Sequence, residues 1–186
     1  MLEVITGSMF SEKTTELITR AKYYENQGKN VIILKPIQDS RYSRNNVVSH
    51  DGLKIRALPV DGVEEIYEVI EEEACDILAI DEVQFFGWDF LEVITQIADK
   101  GVYIIAAGLD LDFRGKPFGI MPELMALADV VKKKHAQCSV CGNIASRNQR
   151  LVNGVAAKES DPLVVIGNTE NITYEPRCRF HHEVRK

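Results

Sequence analysis

The segment Gly7-Ser8-Met9-Phe10-Ser11-Glu12-Lys13-Thr14 decides the reading of this chain. It follows an apolar run, residues 2–6, that reads as a buried strand. It opens a stretch in which Leu17, Ile18, Ala21 and Tyr24 recur with helical spacing, and Gly28 stands where a helix would be capped. Strand, tight loop and helix in that order make a phosphate loop, whose N–H groups and helix N-terminus face anionic oxygens. On this reading Lys13 reaches the β- and γ-phosphates of a nucleoside triphosphate and the Thr14 hydroxyl coordinates Mg²⁺. One position departs from the strict pattern. Glu12 stands before the lysine, where glycine gives close approach and unusual torsions. A carboxylate about 4 Å from a phosphate charge costs roughly 1 to 4 kcal/mol per charge pair, unless it swings into solvent.

Outward from the loop, short apolar runs alternate with amphipathic stretches. Residues 31–34, 77–80 and 102–106 read as further strands, with helices marked by Val63, Ile66, Val69 and Ile70, and by Phe90, Leu91, Ile94, Ile97 and Ala98 before Gly101. This alternation predicts a parallel sheet covered on both faces, with chemistry in the loops beyond the strands' carboxyl ends. The third strand ends in the acidic pair Asp81-Glu82. There Asp81 would hold the Mg²⁺ shell, and Glu82 would project toward an attacking nucleophile. Either segment alone also reads as ordinary structure; together they read as a triphosphate site.

The 186 residues allow one full core and a small appendage, and no apolar run approaches the ~20 residues of a membrane span. A net charge of −6 argues against duplex nucleic acid as a partner but not against a nucleotide. The first residues lack the basic region of a signal peptide, so a cytoplasmic location is expected. In a reducing compartment the four cysteines read as metal ligands or core thiols. Cys138-x-x-Cys141 and Cys178-x-x-His181 have equal spacing and would make a tetrahedral, structural Zn²⁺ site. His182 and His135 are rival fourth ligands, and Cys75 reads as a core residue. Composition changes near the basic run at 132–134, which predicts an α/β domain over 1–132 and a metal-stapled lobe over 133–186.

With these residues in view, a resemblance emerges. The phosphate loop, Lys35-Pro36 with Asp39-Ser40-Arg41-Tyr42, the run from Asp81 to Phe86, Gly108-Leu109-Asp110 with Phe113, Lys116-Pro117-Phe118-Gly119 and the cysteine lobe together resemble the zinc-containing thymidine kinases. The resemblance implies an α/β fold, a P-loop (RecA-like) parallel sheet with helices on both faces plus a small zinc-binding lobe with a lasso loop. It implies ATP-dependent phosphorylation of thymidine or deoxyuridine, with Glu82 as general base, and Asp39 and Arg41 beside the loop on the phosphates. Met9, Gln84, Phe85, Leu109 and Phe113 would line the base pocket. Leu163, Val164, Val165, Ile166 and Gly167 would read the pyrimidine edge through their main chain, with Tyr174 as a clamp. Asn148 stands where the family has threonine. A homotetramer, with no nucleic-acid polymer and no membrane as partner, is the implied assembly.

Glu12 divides the functional reading in two: an active kinase, or a catalytically impaired binder that keeps the nucleoside site. A zinc-ribbon nucleic-acid module fused to an ATPase is a third reading. The acidic net charge and the lack of stacking aromatics around Cys138 and Cys141 oppose it.

Overall fold

The apolar runs fold as strands buried on both faces, in a computed structural model that describes residues 1–38, 45–49, 51–72, 74–165 and 171–186, Glu72 by its backbone alone. In chain order, β1 (Leu2–Gly7) leads into α1 (Lys13–Asn26), and β2 (Val31–Pro36) precedes a short antiparallel pair, β3 (Asn46–Val48) and β4 (Lys54–Arg56). Then come β5 (Leu58–Val60), α2 (Val63–Glu72), β6 (Ile77–Ile80), a 3₁₀ turn (Val83–Phe85), α3 (Asp89–Asp99), β7 (Tyr103–Gly108), α4 (Met121–Leu127) and β8 (Val130–Lys134). The central sheet has the order β5-β2-β6-β7-β1-β8, and its neighbours pair in parallel.

Alternate residues of each strand face opposite layers. Leu34, Leu78, Ile80, Ile104 and Ala106 pack with Ile66 of α2, Phe90 and Ile94 of α3, and Leu124 of α4. Ile5, Ile33, Ala79, Ile105 and Ala107 pack instead with Leu17, Ile18 and Ala21 of α1, and with Val47 of β3. Each fully buried Leu, Ile, Val or Phe side chain among these contributes about 1.5–3 kcal/mol. The helices therefore lie on both faces, as the alternation of runs requires. Gly28 and Gly101 end α1 and α3 with φ of +76° and +97°, as their positions suggest. Registration of Val4 with Ala106, Ala106 with Ile80 and Ile80 with Leu34 brings the strand ends into one row. Gly7, Pro36, Ile80 and Gly108, where these strands finish, consequently lie along one end of the sheet.

The sheet has two edge strands that hydrophobic spacing does not mark. β5 is only three residues long. In β8 the last three residues are lysines, and Val130 and Val131 are exposed. The lysines fit a strand because they alternate. Lys132 and Lys134 both reach Glu16 of α1, at 2.6 and 2.9 Å, while Lys133 reaches Asp110 on the other side at 2.6 Å. The sheet thus continues through Lys134, and the architecture changes at His135. Beyond it, β9 (Ala136–Gln137) pairs with β10 (Ile144–Ala145). A second small sheet has the order β12 (Val155–Ala156), β11 (Arg147–Val152), β13 (Ile172–Arg177), antiparallel throughout.

Glu16 ties α1 to β8. Burial opposes its ionisation, but the Lys132 and Lys134 ammonium groups outweigh that and bring the carboxyl from 4.5 down to about 2. A folded value below the unfolded one means that the stabilisation is full above about pH 5 and is lost as pH falls toward 2. The gap in urea midpoint between the wild type and Glu16→Gln is therefore expected to be constant above about pH 5 and to narrow steadily as the pH is lowered toward about 3.

Candidate active site

The phosphate loop begins where β1 is pinned between two neighbours. Gly7 has φ +141° and pairs with Lys134, and a Cβ there would lie 2.1 Å from the Lys134 carbonyl oxygen, so only glycine fits. Ser8 and Ser11 are buried. The Ser11 hydroxyl donates to the Ser8 carbonyl at 2.8 Å, and the Lys13 ammonium donates to the same oxygen at 2.7 Å, closing the loop on itself. Phe10 and Glu12 adopt left-handed torsions, φ +63° and +61°. For a residue with a Cβ that conformation costs roughly 1–2 kcal/mol. The Glu12 side chain is 68% exposed, with Oε2 3.9 Å from Lys134 Nζ, which also donates to the Glu12 carbonyl at 3.2 Å. Glutamate therefore takes the torsions of the missing glycine and turns its carboxylate toward a lysine and solvent.

Thr14, in the first turn of α1, donates its hydroxyl to Asp81 Oδ2 at 3.1 Å. Asp81 is buried just past β6, and Glu82 follows in a left-handed conformation, φ +54°. The Glu82 carboxylate accepts a hydrogen bond from Gln84 Nε2, while Gln84 Oε1 accepts from the Leu109 N–H at 2.9 Å. Gln84, expected in the base pocket, thus has both ends of its amide engaged within the protein. Gly108 makes room for it: a Cβ there would meet Gln84 Oε1 at 2.8 Å and Met121 Sδ at 2.9 Å. The loop, Asp81, Glu82, the buried Lys35, Asn46, Asp51 and Leu109 enclose a cavity of about 270 Å³.

A second, apolar cavity of about 90 Å³ adjoins the first. Met9 and Leu109 line both, and Phe85, Phe113, Phe118, Leu163, Val164, Val165 and Tyr174 complete much of the second. Asp39, Arg41, Ile166 and Gly167, which the sequence also put forward, lie outside the described residues. Two residues of β11 with no role assigned from sequence organise this cavity. Asn148, buried, accepts from the Met9 N–H and donates to the Leu111 carbonyl, both at 2.7 Å. Arg150, also buried, places its guanidinium carbon 3.8 Å from the centre of the Phe113 ring. It donates to the Tyr174 hydroxyl at 2.7 Å and to the Pro162 and Leu163 carbonyls at 2.5 and 2.6 Å. Strand alternation, which puts positions 148 and 150 on one face, is the signal that would have grouped them.

In the lobe, Cys138, Cys141, Cys178 and His181 converge, their ligand atoms all within 4.8 Å of one another. Cys141 and Cys178 sulfurs are 3.8 Å apart. His181 Nδ1 is 3.8 Å from Cys138 Sγ and 3.3 Å from Cys178 Sγ. A tetrahedron with zinc–sulfur bonds of about 2.3 Å has edges of about 3.8 Å, so this donor set could hold zinc. Burial opposes ionisation of Cys138, but N–H groups of Cys178, Val140 and Cys141 and the His181 ring bring the thiol down to about 5. That favours the thiolate a metal needs. His182, a rival ligand by sequence, points elsewhere: its Nε2 donates to the Phe113 carbonyl at 2.8 Å.

A phosphate loop, an acidic strand end and an adjoining, mainly apolar chamber fit a phosphotransferase with a small acceptor. Comparison with known families agrees: residues 1–182 match the family model described as thymidine kinase, and the chain belongs to that family. Its activity class is that of a nucleoside kinase.

Asn148→Ala removes the side-chain partner of the Met9 N–H and of the Leu111 carbonyl. It is expected to lower stability by about 1–3 kcal/mol in urea unfolding. Cys178→Ser should bind zinc more weakly in a competition titration and show faster proteolysis within 135–186, with the α/β part intact.

Proposed function

We propose that the protein transfers the γ-phosphoryl group of ATP to the 5′-hydroxyl of thymidine or deoxyuridine, giving the monophosphate and ADP. The observation that carries this reading is the pair of cavities that share Met9 and Leu109, with Glu82 on the phosphate side of the boundary. A nucleoside in the apolar chamber would present its sugar toward Glu82, and a triphosphate along residues 8–14 would present its terminal phosphate from the other side.

The chemistry then follows from named groups. Lys13 and the loop N–H groups hold and orient the triphosphate. Glu82, whose carboxylate is oriented by Gln84, takes the proton of the 5′-hydroxyl as that oxygen attacks the γ-phosphorus. The new O–P bond forms as the bond from the γ-phosphorus to the β–γ bridging oxygen breaks, and ADP leaves. Thr14 and Asp81 would hold Mg²⁺, which when bound supplies charge neutralisation on the β- and γ-oxygens. Phe113 and Phe85 line the chamber with aromatic surface for a pyrimidine, and the main chain at 163–165 offers fixed donors and acceptors at little ordering cost. The α/β part through Lys134 and the lobe that follows from His135, rather than a division at 132, share this labour, the first handling phosphate and the second covering the nucleoside. A cytoplasmic, reducing setting suits the metal thiolates, and a homotetramer is carried forward from the family resemblance.

The outward turn of Glu12 supports the active reading over an impaired binder. With ATP, Mg²⁺ and thymidine, the purified protein is expected to form thymidine monophosphate. Glu82→Gln should lower kcat by about 10²–10⁴-fold with KM for thymidine nearly unchanged. Product from Glu12→Gly but none from the unaltered protein would favour the impaired reading instead.

A further inference from the structure

We infer that Lys134 is a positioning residue for the phosphate loop, a clasp that holds both of its ends and lets glutamate occupy the position of the loop's missing glycine. The inference rests on the reading of residues 8–14 as the triphosphate site. Lys134 is the last residue of β8, and its backbone pairs with Gly7, where the loop begins. That packing is so close that a Cβ on Gly7 would strike the Lys134 carbonyl. At the other end of the loop, the ammonium of the same residue donates to the Glu12 carbonyl at 3.2 Å and stands 3.9 Å from the Glu12 carboxylate. The Glu12 carbonyl also accepts from the Glu16 N–H at 3.1 Å, the first turn of α1, so Lys134 acts where loop becomes helix.

The lysine is itself held. Its side chain is 19% exposed, and Glu16 Oε2 lies 2.9 Å from Nζ, with Lys132 and Arg20 on the other carboxylate oxygen at 2.6 and 2.9 Å. An ammonium fixed in this way does two things. It anchors the carbonyl of a residue in a left-handed conformation that a Cβ disfavours. It also draws the adjacent carboxylate away from the phosphates and offsets its charge. A glycine at position 12 would adopt the torsions freely and bring no charge. Lys134 is therefore needed because Glu12 is there.

The test compares unaltered protein, Lys134→Met, Lys134→Arg, Glu12→Gly and the Glu12→Gly/Lys134→Met double variant. Mg·ADP affinity is measured by calorimetry, and KM for ATP and for thymidine by steady-state kinetics. Lys134→Met should weaken Mg·ADP and raise KM for ATP by about tenfold, the size of one charge-assisted hydrogen bond. KM for thymidine should stay within about twofold, and Lys134→Arg should recover most of the loss. With glycine at position 12 the same lysine change should shift Mg·ADP affinity by less than about twofold, a coupling that independent sites do not show. Unchanged affinity in Lys134→Met would overturn the inference. So would an equal loss in both backgrounds, or a fall in melting temperature with no separation of the two KM values. Calorimetry with Mg·ADP needs no nucleoside, so failure to phosphorylate thymidine sinks the proposed reaction without touching this result. An unaltered protein that binds no Mg·ADP overturns both.

Discussion

The parallel pairing of β1 with β7 on one side and β8 on the other is the constraint on which the site depends. Five register pairs join β1 to each neighbour, from Leu2 with Ile104 to Gly7 with Lys134. Buried strands of this kind have no freedom to slide, because a one-residue slip would turn every side chain to the wrong layer. The end of β1 is therefore fixed in space, and the loop that leaves it inherits that fixity. Gly7 marks the tightest point, where the β8 backbone leaves no room for a Cβ. Asp81 and Leu109 start from the adjacent ends of β6 and β7, so Thr14 meets Asp81 and Gln84 meets Leu109 without long side chains bridging a gap.

From that row of strand ends the second chamber is built by a different kind of structure. Among the described residues the lobe has almost no apolar core of its own: Cys138, Ala145 and Cys178 are its buried cluster. Its order rests on the four convergent ligands and on hydrogen bonds that run back to the α/β part. Asn148 joins Met9 to Leu111, and His182 holds the carbonyl of Phe113. The lobe thus completes the apolar chamber and braces the phosphate loop with the same strand. Met9 is the point at which both jobs meet, since its N–H is fixed by the lobe while its side chain lies between the cavities.

The parts that were legible in the sequence share a property: their pattern is local. Strand β6 with Asp81 and Glu82, a helix opening at the end of the phosphate loop, the glycines after α1 and α3, and two Cys/His pairs at equal spacing each need only a few consecutive letters. β8 was not legible, because Val130 to Lys134 reads as a charged run until Glu16 and Asp110 are known to lie on either side. The direction taken by Glu12 was unreadable for the same reason, since Lys134 lies 122 residues away. Asn148 and Arg150 carry bonds to segments that only the folded sheets bring near. Gln84 was legible as a member of the site, but its use between Glu82 and Leu109 required the β7 loop to be in place.

Arg150 has a consequence for how this chain tolerates change. It grips the segment at 162 and 163 by two carbonyl oxygens, and every amino acid supplies a carbonyl. The instruction that places that segment is therefore written at position 150 rather than in the segment's own letters. A change of side chain at 162 or 163 leaves both carbonyl contacts available, so the backbone keeps its station. A single arginine on a neighbouring strand is the part that cannot wander.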